Sequence, residues 1–195
     1  MTIVASTILI TEFGRFNDSD NKTKNGEGLS IKKGKLNTTN PLLRIQSSCI
    51  FSESFHSTTC DCSLQLQGSL KIINEFGNGA LVYLFDEGRG AGLLTKIKAM
   101  EIERQNEIDT VEAFKKLGLP ADLRNYKIAL DILEDIEINK ELKLITNNPN
   151  KKKSLEENGY KVTEIVRLNL ELNDSVRKYL KMKKEKLGHE YIDLE

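Results

Sequence analysis

Three cysteines constrain this chain more than any other residues it has. Cys49, Cys60 and Cys62 are the only cysteines among its 195 residues, and all lie within one stretch, Arg44–Gln65, with the spacing C-x10-C-x-C. Three thiolates and a water make a tetrahedral zinc site of the catalytic kind, with three protein ligands and one open position. In extended backbone, Cys60 and Cys62 share a face, and Cys49 returns from a loop to complete the trio. Three buried thiols packed as small hydrophobes are the alternative. The spacing leaves both open, because C-x-C is less diagnostic than paired C-x2-C units. An odd, clustered set of cysteines argues against a secreted disulfide framework and for a reducing cytoplasm.

The pattern on either side of the cysteines alternates between strand and helix. Residues 2–10 are rich in β-branched side chains and predict a strand, with a turn at Phe13–Phe16 leading to its partner. From Asn17 to Asn40 the chain is polar, which suggests hairpin turns or a flexible surface excursion, with weak strand character at Leu29–Ile31. Pro41–Ile45 predicts a strand that delivers Arg44 and Cys49 to one end of a sheet. Leu66, Leu70, Ile73 and Phe76 recur at helical spacing up to Gly77. The apolar run Ala80–Phe85 predicts a buried strand, followed by Asp86-Glu87-Gly88-Arg89-Gly90-Ala91-Gly92 and an amphipathic helix to about Gln105. Strand, glycine-rich loop and helix is an arrangement that binds phosphate through backbone N–H groups, although glycines also simply permit a tight turn.

Asp109 caps a further helix, and another runs from about Arg124 to Asp135. Leu142–Thr146 predicts a strand, Asn148-Pro149 a helix start, Tyr160–Leu168 a strand, and Ser175–Leu187 a basic terminal helix. The whole is an α/β class with a mixed sheet, antiparallel near the N-terminus, read as one domain over 1–195; the length also suits two small ones. Lysine plus arginine and aspartate plus glutamate both number 29. That balance implies no general affinity for nucleic acid or anionic membranes, so any phosphate binding must come from a local site. No apolar run reaches the length of a membrane span.

The ordered motifs together resemble GTP cyclohydrolase II. They are Arg44-x-x-x-x-Cys49, Cys60-Asp61-Cys62-x-x-Gln65-Leu66, Glu87-Gly88-Arg89-Gly90, Asp109-Thr110-Val111-Glu112-Ala113, Asp122-Leu123-Arg124-Asn125-Tyr126 and Thr146-Asn147-Asn148-Pro149. The resemblance implies a cytoplasmic homodimer that takes GTP, opens the guanine imidazole ring at C8 and releases pyrophosphate. It implies Zn²⁺ on Cys49, Cys60 and Cys62, and Mg²⁺ with the triphosphate. Arg44, Gln65, Glu87, Gly88, Arg89, Thr110, Thr146 and Lys151 fall at its nucleotide-binding positions. Glu87 would hold hydrated magnesium or support Arg89. Asp122 and Arg124 match its pair for pyrophosphate release, where electrostatic stabilisation by Arg124 is less demanding than nucleophilic attack by a guanidinium that stays protonated. A helix-start ion pair is the structural alternative. His56 reads as a loop residue and His189 as structural.

The chain departs from the family's pattern at several places. Gln46 and Ser48 stand where the family has His and Glu, Asp86 replaces Gln, Met100 replaces Tyr, and Phe114 replaces Asn. Metal, phosphate and Asp-x-Arg elements remain while proton carriers near the base are reduced. The pattern suggests a paralogue whose formate-releasing step is weakened. A non-catalytic nucleotide-binding paralogue and a hydrolase of a related purine nucleotide are the competing readings.

Overall fold

The β-branched N-terminal run forms β1 (Thr2–Thr11), which turns at Glu12 and Phe13 into β2 (Gly14–Thr23). A second tight turn leads to β3 (Gly26–Lys33), so the polar stretch from Asn17 onward is mostly strand rather than a surface excursion. The reason is visible in what it buries. Ser19, Asn21 and Ser30 are all fully buried, and Asn21 Nδ2 donates to Ser30 Oγ (2.9 Å) and to the Ser19 carbonyl (2.7 Å). A strand whose inward face is polar leaves no apolar alternation to detect.

In the computed structural model, which describes residues 2–168, 170 and 174–189, the remaining strands are β4 (Leu42–Ser47), β5 (Gly79–Leu84), β6 (Glu141–Ile145) and β7 (Lys161–Val166). All seven form one mixed sheet in the order β1-β2-β3-β5-β4-β6-β7. The pairs from β1 to β5 are antiparallel, and β5, β4, β6 and β7 run parallel. Helices cover both faces, as parallel strands require. Leu43, Ile45, Val82 and Leu84 pack with Ile132 and Leu133 of a helix at Lys127–Asp135. On the opposite face Leu42 and Leu81 pack with Leu70 and Ile73 of a helix at Cys62–Phe76, which Gly77 closes at φ 79°.

This topology positions the site. The crossover from β4 to β5 passes one face and the return from β5 to β6 passes the other, so the chain parts at the carboxyl ends of three adjacent strands. Open α/β sheets bind ligands at such switch points. β4 is buried on both sides, yet it carries Arg44 and Gln46 on the face shared with Leu42. The helix Gly92–Asn106 is less inward-facing than its pattern suggests: Ala99 is its only buried residue, and Leu93, Leu94 and Ile97 are exposed.

Candidate active site

Past Ser47 the chain leaves the sheet with Ser48 N–H donating to the Leu84 carbonyl (2.8 Å), and Cys49 caps the short helix α1 (Ile50–Glu53). It returns through a loop to Cys60, and Cys62 opens α2 (Cys62–Phe76). Cys60 and Cys62 therefore flank a helix start rather than share a strand face. Cys49 Sγ and Cys60 Sγ lie 3.7 Å apart, and all three sulfurs lie within 4.8 Å of one another. Tetrahedral zinc with bonds of about 2.3 Å sets sulfurs about 3.8 Å apart, so this cluster could hold a metal ion with little adjustment. Hydrogen bonds from Cys49 and Cys62 pull the Cys60 thiol down, while Cys62 is pushed up by its contacts with Cys49 and Cys60.

The cysteines open onto a cavity of about 640 Å³ at the carboxyl ends of β4, β5 and β6. Arg44, Gln65, Glu87, Gly88, Arg89, Thr110, Arg124, Thr146 and Lys151 all line it, so the structure gathers these sequence candidates around one cavity. Asp122 sits behind Arg124. Its carboxylate takes Arg124 Nε (2.9 Å), Nη2 (2.5 Å) and the backbone N–H (3.0 Å). Burial opposes Asp122's charge, but these bonds outweigh it and hold the carboxyl below its ordinary range. The pair belongs to an extended loop ahead of α5 (Lys127–Asp135), not to a helix start.

That loop is stapled to the glycine-rich turn by Leu123 N–H donating to the Arg89 carbonyl (3.0 Å). Gly90, at φ 81°, lies where an added Cβ would meet Leu123 C at 3.1 Å and Arg124 N at 3.2 Å, so no other residue fits without displacing the Asp-x-Arg segment. Arg89 itself holds a left-handed backbone at φ 57°, a strained state of the sort concentrated at ligand sites. Its guanidinium donates to the Ala121 carbonyl (3.2 Å).

The electrostatics of the inner wall are unbalanced toward positive charge. Arg44 is buried, and its guanidinium reaches neutral acceptors: Gln46 Oε1 (3.0 and 2.6 Å), Gln65 Oε1 and the Ile145 carbonyl (3.2 Å). Burial pulls it down to about 10. Lys151 is equally buried on α6 (Pro149–Glu157) and donates to the Ile45 carbonyl (2.6 Å). Burial, then Arg44, Arg124 and Lys183, push its pKa well down. Among the described residues neither Arg44 nor Lys151 has a carboxylate partner within ion-pair distance. A buried cation without a counterion is costly, and an anionic ligand in the cavity would offset that cost. Thr146 Oγ1 accepts from Asn148 N–H (3.0 Å), and Thr110 hydrogen-bonds Glu103, whose carboxyl burial pushes up.

Residues 3–167 match the family model described as GTP cyclohydrolase II. GTP cyclohydrolase-2 of Acinetobacter baylyi is 42% identical over 192 residues, which cover 96% of this chain and 95% of that protein. The chain belongs to the GTP cyclohydrolase II family. GTP cyclohydrolase-2 of Shewanella sediminis is also 42% identical, over 95% of this chain and 91% of its own. The riboflavin biosynthesis protein RibBA of Bacillus mycoides is 41% identical over 93% of this chain, which corresponds to 46% of that longer protein.

Tyr179, Lys183, Lys96 and Glu53 of this GTP cyclohydrolase II-like site went unread in the sequence, and His189, read there as structural, lines the cavity. Helix α7 (Asp174–Leu187) supplies Tyr179 and Lys183, and His189 follows it; all three line the cavity. Lys183 Nζ pairs with Asp61 Oδ1 at 2.8 Å, with side chains only 11% and 1% exposed. Tyr179 OH meets Arg89 Nη2 at 3.4 Å. Burial first, then the charges of Lys183, Arg124 and Lys151, take His189 down to about 3, so it faces the cavity as neutral imidazole. Lys96 on α3 (Gly92–Asn106) donates to Cys49 Sγ at 3.1 Å and to Glu87 Oε1 at 2.7 Å. Glu87 also accepts from the Ile50 (2.8 Å) and Gly88 (3.0 Å) N–H groups, so it ties the glycine-rich turn to the cysteine loop. Gln46 joins Arg44 to Glu53 (2.8 Å), whose carboxyl burial raises. Met100 lines the cavity, and His56 lies on an exposed loop.

Proposed function

We propose that this protein is a zinc-dependent hydrolase of GTP that opens the guanine imidazole ring at C8 and releases pyrophosphate, giving an aminopyrimidine ribonucleotide that keeps or slowly loses its formyl group. The observation that carries this reading is the pair of buried basic side chains, Arg44 and Lys151, which among the described residues have no carboxylate at ion-pair distance and line the same cavity as the trithiol cluster. A triphosphate is the ligand that neutralises them, and Mg²⁺ would arrive bound to it. Zinc held by Cys49, Cys60 and Cys62 supplies Lewis acidity and an activated water.

The chain's own residues do the rest. Arg44, Lys151 and Arg89 grip phosphate oxygens, the arginines as planar forks. Thr110, Thr146 and Gln65 orient the nucleotide with neutral hydrogen bonds, and Glu87 and Gly88 fix the turn that carries Arg89. Arg124 stabilises charge at the α-phosphate as pyrophosphate leaves. Asp122, bound in bidentate fashion, aims that guanidinium. The whole chain acts as one catalytic unit in a riboflavin-type or secondary pathway. The exposed Leu93, Leu94 and Ile97 of α3 support pairing of two copies in a homodimer. No described helix is long and apolar enough to cross a membrane, which agrees with a cytoplasmic enzyme.

Phosphorus NMR of GTP incubated with zinc-loaded protein and Mg²⁺ tests the reading. Pyrophosphate and a nucleoside monophosphate signal are expected. GDP with inorganic phosphate, or unchanged GTP, would overturn it.

A further inference from the structure

A dication bound by three thiolates carries a net negative charge, which weakens it as a Lewis acid relative to one held by neutral ligands. Among the described residues, Lys96 is a cation in direct hydrogen-bond contact with one of these sulfurs. Its Nζ donates to Cys49 Sγ at 3.1 Å, and two further contacts fix it there. Glu87 Oε1 accepts from it at 2.7 Å, with side chains 18% and 13% exposed, and the Phe51 ring lies 5.0 Å below it. Its stem is fixed too: a Cβ added at Gly88, itself at φ 62°, would lie 3.1 Å from Lys96 Cβ, so the turn packs directly on the lysine. A solvated surface lysine has none of these constraints.

We propose that Lys96 is a positioning residue that tunes the trithiolate centre, its ammonium drawing charge from the Cys49 sulfur and so raising the electrophilicity of the metal that the three cysteines hold. The inference rests on the reading of the trithiol cluster as a metal centre. It gives Glu87 a second task, because its carboxylate holds the ammonium on the sulfur while its other oxygen holds the Ile50 N–H at the start of the cysteine loop. Partners in a metal's outer shell typically change affinity or activity by about 10–100-fold, and a charged donor to a ligating sulfur belongs at the upper part of that range. Lysine at this position therefore offsets the excess charge of the third thiolate. The metal keeps a soft, tight ligand set without losing its power to polarise.

Cobalt(II) is the probe, because thiolate-to-cobalt charge transfer reports electron density on the sulfurs without any turnover. Wild-type protein should bind one cobalt per chain with a thiolate band that Cys60→Ser diminishes. Lys96→Met, which keeps the side chain's bulk, should shift that band to lower energy and weaken zinc affinity about 10–100-fold. Lys96→Arg should restore the band position. Glu87→Gln leaves Lys96 in place but loosens its anchor, and should give an intermediate shift. With GTP, Lys96→Met should lower kcat with KM little changed. An unshifted band and unchanged zinc affinity in Lys96→Met, with a native circular dichroism spectrum, would overturn the inference. A wild-type protein that binds no cobalt through its cysteines would instead overturn the metal reading on which it rests.

Discussion

Lys183→Met is the substitution with the most calculable consequence outside the cysteines. Lys183 and Asp61 are 11% and 1% exposed and 2.8 Å apart. Removing one partner of a buried pair leaves the other charge stranded, at a cost of about 3–5 kcal/mol. Asp61 keeps Gln65 Nε2 and a backbone N–H as donors, so the lower end of about 3 kcal/mol applies. For a chain of this size about 2–4 °C is lost per kcal/mol, which gives a fall in Tm of about 6–12 °C. Lys186→Met removes contacts to Asp109 and Glu112 that are much more exposed, and should lower Tm far less than Lys183→Met. Asp61→Asn added to Lys183→Met should recover at least about 1 kcal/mol, because the stranded charge is gone. Thermal and urea unfolding of the zinc-loaded proteins measure all three. A Lys183→Met variant within 1 kcal/mol of wild type would refute the reasoning, and α7 would then be a loosely held appendage.

Two further substitutions probe the chemistry. Arg124→Ala should lower pyrophosphate release by about 10²–10³-fold, with bound zinc unchanged, and Arg124→Lys should keep at most a small part of it because lysine lacks the planar fork; near-normal release by Arg124→Ala would show the Asp122 pair to be structural. Formate should lag behind pyrophosphate in wild type, and Met100→Tyr should shorten that lag about tenfold or more by restoring a hydroxyl donor on the cavity wall. Equal yields of both products from the start of the reaction would remove the formylated product from the account.

The legible parts of the fold were those where apolar pattern and burial coincide. Ala80–Leu84 and Leu42–Ile45 are buried on both faces, and Asn148 caps α6 through a bond to Asn150 N–H (2.9 Å). β2 was hidden because its inward residues are Ser19 and Asn21, and polar burial cannot be distinguished from a polar loop in sequence. α3 reads as amphipathic in sequence but packs shallowly: Ala99 meets Ala113 and Phe114, while Leu93, Leu94 and Ile97 stay exposed. At the site, residues inside motifs were readable, whereas Lys96 and Lys183 were not. Each is one lysine in a basic helix, and only the fold brings Lys96 to Cys49 and Lys183 to Asp61, 122 positions away. Tyr126 shows the same limit: its place 6.0 Å from Lys151 Nζ depends on the β6 crossover.

Mass spectrometry of the nucleotide formed from GTP by zinc-loaded protein with Mg²⁺ tests the central claim most directly. The account predicts a ribonucleotide monophosphate whose imidazole ring has been opened by one water, with the formyl carbon first retained and later lost. A product in which the purine remains intact, whatever phosphates have been removed, would contradict it.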